Sequence, residues 1–134
     1  MQGSMFTLEL EYPPSWNHFY SYVRGRPVLS KDAREYRKHV RRQLLLAKFK
    51  PMFGPLAVRI EISPPDQRRR DCDNALKSIL DALQNGGAFW DDSQIAWLLT
   101  VRLNPVPDGQ ATIQFWQLSD GALPDHFSQL GVTV

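Results

Sequence analysis

The chain has 134 residues, 43% hydrophobic and 22% charged, with a formal net charge of +2 and one cysteine, Cys72. That length and composition predict one globular domain with a core of its own, and a lone cysteine excludes a disulfide scaffold. No apolar run is long enough to cross a bilayer and the N-terminus shows no secretory signal pattern, so a reducing cytoplasm is the expected setting.

Residues 6–12 read FTLELEY, in which Phe6, Leu8 and Leu10 alternate with polar neighbours as in a half-buried strand. Pro13, Pro14, Gly25 and Pro27 punctuate the next stretch, which reads as a loop rich in aromatics and arginines. A helix follows, with Ser30 as N-cap and Ala33, Tyr36, Val40, Leu44 and Ala47 on one face. After the FKPMFGP break, LAVRIEIS alternates as a strand. PPDQRRRDC is a loop, and a second helix begins at Asp73 and stops at Asn85-Gly86-Gly87. AFWDDSQ is a loop, IAWLLTVRL a strand, NPVPDG a turn and ATIQFWQL a last strand. Residues 1–118 therefore read as one α/β (α+β) domain, a mixed sheet of about four strands with two main helices packed on it, followed by a tail over 119–134.

Charge is segregated along this order. Residues 24–70 hold fourteen Lys/Arg against four Asp/Glu, and residues 71–134 hold two against eight. Solvated surfaces mix the two signs, so the basic half suggests a polyanionic partner and the acidic half a cation. On the second helix Leu76, Ile79, Leu80 and Leu83 form the core face, while Asp73, Lys77 and Asp81 follow at i, i+4 and i+8 on an adjacent stripe. Asp71 sits just before them, and the pair Asp91-Asp92 lies in the next loop; the spacing does not choose between those two. Clustered carboxylates repel by roughly 4 kcal/mol per pair at 4 Å and an effective dielectric near 20. A hard divalent cation such as Mg²⁺ or Mn²⁺ relieves that repulsion and suits phosphodiester chemistry. The bland alternative is a helix cap and surface ion pairs.

Arg68, Arg69 and Arg70, with the arginine-rich first helix, exceed what neutralising a few aspartates needs, and they match backbone phosphates. Arg24, Arg26, Lys31 and Arg34 extend this DNA-binding candidate set, and Trp16, Phe19, Tyr20 and Tyr22 offer rings for stacking. His18, His39 and His126 have no metal-ligand spacing. Cys72, between two aspartates, is expected to point into the core.

PPSWNHFY, RGRPVLSKDAREYR, PPDQRRRDCDNALKSILDAL and GAFWDDSQI, in that order and spacing, resemble the RusA family of Holliday-junction resolvases over residues 8 to 116. The resemblance implies a Mg²⁺-dependent homodimer, Mn²⁺ being able to substitute, that nicks two strands symmetrically across a four-way DNA junction. Family aspartates map onto Asp71, Asp73 and Asp92 as catalytic metal ligands, and the catalytic lysine onto Lys77. Asn74, Asp81 and Asp91 take supporting roles, and the host is bacterial or phage. Cys72 stands where the family usually has an apolar residue such as leucine, and the tail after about Leu118 has no clear counterpart. The competing readings are a non-cleaving branched-DNA-binding module with a structural metal site, and an acid-rich scaffold for a basic protein.

Overall fold

The computed structural model describes residues 5–118; the tail expected over 119–134 lies outside them. Six strands and two helices follow in order: β1 (Met5–Leu10), β2 (Tyr20–Val23), β3 (Arg26–Leu29), α1 (Lys31–Leu46), β4 (Leu56–Ser63), α2 (Cys72–Asn85), β5 (Ile95–Arg102) and β6 (Gln110–Gln117). Short 3₁₀ turns occupy Trp16–His18 and Asp92–Gln94. The main sheet runs β1-β6-β4-β5, with β4 parallel to β5 and antiparallel to β6. This is the mixed sheet with two helices that the patterning predicts. Two details differ. Residues 20–29 are a β-hairpin rather than loop, because their alternation is short and both faces are wet, which hides the period-2 signal. The second helix begins one residue earlier than expected, at Cys72, because Asp71 rather than Asp73 caps it.

The periodicities translate directly into burial. Leu56, Val58, Ile60 and Ile62 of β4 meet Ile113 and Phe115 of β6 beneath Val40 and Leu44 of α1 and Ile79 and Leu83 of α2. Each such side chain contributes roughly 1.5–3 kcal/mol by leaving water. Ala47 is exposed, since α1 has already reached its C-cap there, and Cys72 is half-buried. The opposite sheet face carries a small cluster of Ala57, Trp116 and Leu118 with Trp97 against it. Ser30 Oγ accepts from Ala33 N–H at 3.2 Å and starts α1. α2 ends in a Schellman pair, with Ala88 N–H donating to Leu83 O and Gly87 N–H to Gln84 O, and Gly87 takes φ +88°. At Gly86 a Cβ would lie 2.8 Å from Leu44 Cδ1, so a larger residue there would make the Leu44 side chain shift.

What matters for function is the β4–α2–β5 unit. Parallel strands joined by a helix force that helix to run back along the sheet. The start of α2 therefore lies near the end of β4, and its finish near the start of β5.

Candidate functional site

The start of α2 is built locally. Asp71 Oδ1 accepts from Asp73 N–H at 3.0 Å, satisfying one of the unpaired amides of the first turn. Both aspartates are exposed, and Asp73 sits where the helix dipole favours negative charge. Asn74 gives its carbonyl to the buried Ser78 hydroxyl at 3.1 Å. Asp71 and Asn74 line a cavity of about 610 Å³ with Tyr12, Asn17, Arg69 and Arg70. Arg70 does not offset the D-x-D pair. Its guanidinium grips Asp66 at 2.6 and 3.1 Å, and Arg68 N–H donates to the same carboxylate at 2.9 Å. The Arg70 hydrogen bond, then that of Arg68, holds the Asp66 carboxyl down at about 2.

The far half of α2 faces a second cavity, about 460 Å³, lined by Lys77, Asp81, Asp92, Arg37, Trp16 and Trp90 among others. Asp81 is taken by Arg37 of α1 in a two-pronged pair at 2.9 Å each, both side chains about one-fifth exposed. The same hydrogen bond raises the Arg37 pKa above its ordinary value. Asp92 is brought to this end by its own N–H, which donates to Gln84 Oε1 at 3.2 Å. Asp91 is the N-cap of the 3₁₀ turn and accepts from Ser93 N–H at 3.0 Å. That bond, with one from Asp92, holds the Asp91 carboxyl below the usual range, while the bond to Asp91 and partial desolvation push Asp92 up. The opposite directions are those expected for like charges side by side.

Gln94 organises this turn. Its Oε1 accepts from Trp90 N–H (2.7 Å) and Asp91 N–H (3.1 Å), and its Nε2 donates to the carbonyls of Met52 (3.1 Å) and Gly54 (3.0 Å). Sequence reasoning missed Arg37, Gln84 and Gln94 as site residues. The D-D-x-Q spacing carried a signal for Gln94, whereas nothing in a linear pattern pairs Arg37 with Asp81.

The structure thus brings Asp71, Asp73 and Asn74 together at one end of α2, and Lys77, Asp81 and Asp92 at a cavity toward the other. Among the described residues no three His, Cys, Asp or Glu side chains gather closely enough to hold a metal ion. The donor chemistry suits a hard divalent cation, but one chain does not assemble Asp71, Asp73 and Asp92 into a single ligand set. Of the basic candidates, Arg24, Arg26, Lys31, Arg34, Arg68 and Arg69 are exposed, and Arg34 Nη1 donates to the Leu29 carbonyl at 2.6 Å. His39 Nε2 accepts from Glu11 N–H at 2.9 Å, a packing role. No helix among the described residues is long and apolar enough to cross a membrane.

Residues 11–114 match the family model described as Endodeoxyribonuclease RusA. The crossover junction endodeoxyribonuclease RusA of Escherichia coli (strain K12) is 37% identical over 105 residues, 78% of this chain and 87% of that protein. Its namesake from Enterobacteria phage 82 is 36% identical over 105 residues, with the same two shares. A third, from Escherichia coli O139:H28, is 32% identical over 116 residues, 86% of this chain and 97% of its own length.

Proposed function

The chain belongs to the RusA endodeoxyribonuclease family, and on that premise we propose that it resolves four-way (Holliday) DNA junctions by paired, symmetrical nicks. What supports this reading is the family match over residues 11–114, together with Asp71, Asp73 and Lys77 at one helix and Asp92 in the turn that follows it. Asp71, Asp73 and Asp92 are the catalytic carboxylates in this reading and Lys77 the catalytic cation. In its cavity the Lys77 ammonium can neutralise charge building on a phosphate. Asn74, Asp81 and Asp91 support them, Asp81 by fixing Arg37 at the cavity wall. Arg24, Arg26, Lys31, Arg34 and Arg68–Arg70 supply phosphate contacts. A bacterial or phage-encoded cytoplasmic protein fits this reading, given its relatives.

The family carries divalent-metal dependence in general; we assign Mg²⁺, with Mn²⁺ able to replace it, to the three carboxylates. Two opposed cuts need two copies, and a two-fold homodimer presents two sites to a roughly two-fold substrate. The same symmetry would answer the lack of a three-carboxylate cluster within one chain among the described residues. The Asp92 end of one chain completes the Asp71–Asp73 end of the other.

The test uses a synthetic mobile four-way junction and a linear duplex of the same sequence, with Mg²⁺ or with a chelator. Paired nicks in the junction alone, lost on chelation and falling steeply with salt, are expected. Equal cutting of linear duplex, or cutting that survives chelation, would overturn the reading. The separation of the carboxylates within one chain favours one second reading, a branched-DNA-binding module that cuts nothing. Asp73→Asn tells them apart: a nuclease variant binds the junction and no longer nicks it, while a pure binding module shows no nicking to lose.

A further inference from the structure

The β2–β3 hairpin stands apart from the main sheet. Among the described residues its strands pair only with each other, and of their eight residues only Leu29 is not exposed. An isolated two-stranded ribbon is marginal in water, so this one depends on its root. There Phe19 is fully buried, stacked on Trp16 at 4.9 Å, and Ser30 N–H closes the base by donating to Phe19 O at 2.9 Å. Tyr20 meets the Trp16 ring edge-on at 5.6 Å, and Trp16 in turn lines the cavity of Lys77 and Asp92. The root is fixed beside the candidate site and the tip is in solvent.

That tip is the two-residue turn Arg24-Gly25, with φ of +52° and +75°, the positive pair a type I′ hairpin turn demands and asparagine-glycine usually supplies. An arginine Cβ crowds this left-handed region. A strained arginine kept on an exposed tip motivates a functional role rather than a packing one. The register sets Tyr20, Leu29, Tyr22 and Pro27 on one face and Ser21, Val28, Val23 and Arg26 on the other. Tyr22 is 76% exposed, the most exposed large apolar side chain among the described residues. Residues 20–30 contain two arginines and no acidic residue.

Unbalanced positive charge beside a bare aromatic face is the chemistry that takes phosphates and unstacked bases, and a two-stranded ribbon is narrow enough for a DNA groove. We propose that the hairpin is an arm that grips DNA at the branch point, Arg24 and Arg26 on backbone phosphates and the Tyr22 ring stacked on a base exposed where the helical arms part. The inference rests on the junction-cutting reading and names the element that tells a branch from a continuous duplex.

The experiment titrates wild type, Tyr22→Ala and Arg24→Gly against a labelled four-way junction and a linear duplex at several salt concentrations, with nicking and sedimentation measured alongside. Tyr22→Ala is expected to weaken junction binding by about 5- to 150-fold, the range of one lost base stack, and to leave duplex binding unchanged. Arg24→Gly suits the positive φ, so it folds at least as well as wild type. It weakens binding to both DNAs and lowers the salt slope by about one. Wild-type junction affinity in both variants, while the wild type nicks normally, overturns the arm and leaves the nuclease reading standing. So does unchanged DNA affinity accompanied by a shift in oligomeric state, which makes the ribbon a protein contact. A wild type that neither prefers nor nicks junctions brings down the nuclease reading and the arm with it.

Discussion

Asp71 caps the start of α2 through an amide two residues away, and Arg70 turns back to Asp66 within the same loop. At the other end Arg37 reaches Asp81 across 44 positions, and Gln94 ties its turn to Met52 and Gly54 across 42 and 40. The two ends carry the same functional group, a carboxylate, under opposite regimes. The first rests mainly on local contacts, with a 3.3 Å hydrogen bond from Arg102 Nη1 to the Arg70 carbonyl as a longer tie, so its loop can yield to a bound phosphate at modest cost. The second is cross-linked to distant elements and holds the Asp92 turn in place before any substrate arrives. A site made from one yielding half and one fixed half needs something to bring the halves together, and the proposed two-fold partner would do so without unfolding either.

The sharpest way to break that comparison is to disable one half in each of two copies. Asp73→Asn and Asp92→Asn proteins should each lose nicking by at least ~10²-fold. If each site draws its halves from different chains, mixing the two variants by denaturation and refolding rebuilds one intact site per heterodimer, and single nicks return. If each site lies within one chain, every site in the mixture keeps a lesion and the mixture stays dead. Strand-specific nick mapping on a junction reads the difference.

Gln94→Ala tests the rigidity of the fixed half. Four hydrogen bonds go at once, one of them the partly buried bond to the Met52 carbonyl, and unfolding by denaturant should show a loss of about 1–3 kcal/mol. Nicking should fall while junction binding stays near wild type, because Asp92 loses its positioning and the basic surface is untouched. Equal losses in binding and nicking would mean that the turn contacts DNA directly.

The local half answers to a gentler probe. Asp71→Asn keeps an oxygen for the Asp73 N–H and should hold wild-type stability, whereas Asp71→Ala removes the cap and costs about 1 kcal/mol. Both lose the carboxylate charge. Nicking lost in both, with stability lost only in alanine, separates the chemical role of Asp71 from its structural one. Retained nicking in the asparagine variant would leave Asp71 as a cap and nothing more.

The same contrast explains what could be read from the chain. LAVRIEIS and the stripe Ile79–Leu83 are legible because burial imposes a period, and D-x-D-N-x-x-K is legible because a helix start is built from adjacent residues. The hairpin at 20–29 escaped because neither face is buried, so no period marks it. Arg37 escaped because nothing local distinguishes a helix arginine that pairs from one that is solvated. That Asp71, Asp73 and Asp92 do not gather into one ligand set was beyond motif reading altogether. It is set by the handedness and direction of the β4–α2–β5 connection, a property of the path rather than of any residue on it.

The smallest effect should come from Asp66. Its folded-state pKa, about 2, lies below the ordinary carboxylate value of ~3.9, chiefly through the Arg70 guanidinium. A depressed carboxylate adds stability above its unfolded pKa and loses it as pH falls through the folded one. Wild type should therefore be the more stable protein against Asp66→Asn at pH 6, with the gap narrowing below pH 4 and closing near pH 2. The pair is solvent-exposed, so salt should shrink the gap further. Asp66→Asn also frees the Arg70 guanidinium, so junction binding at low salt should tighten slightly as stability falls. A variant that loses both would show that Asp66 holds Arg70 in its DNA-binding pose, which would make the start of α2 less yielding than its local contacts suggest.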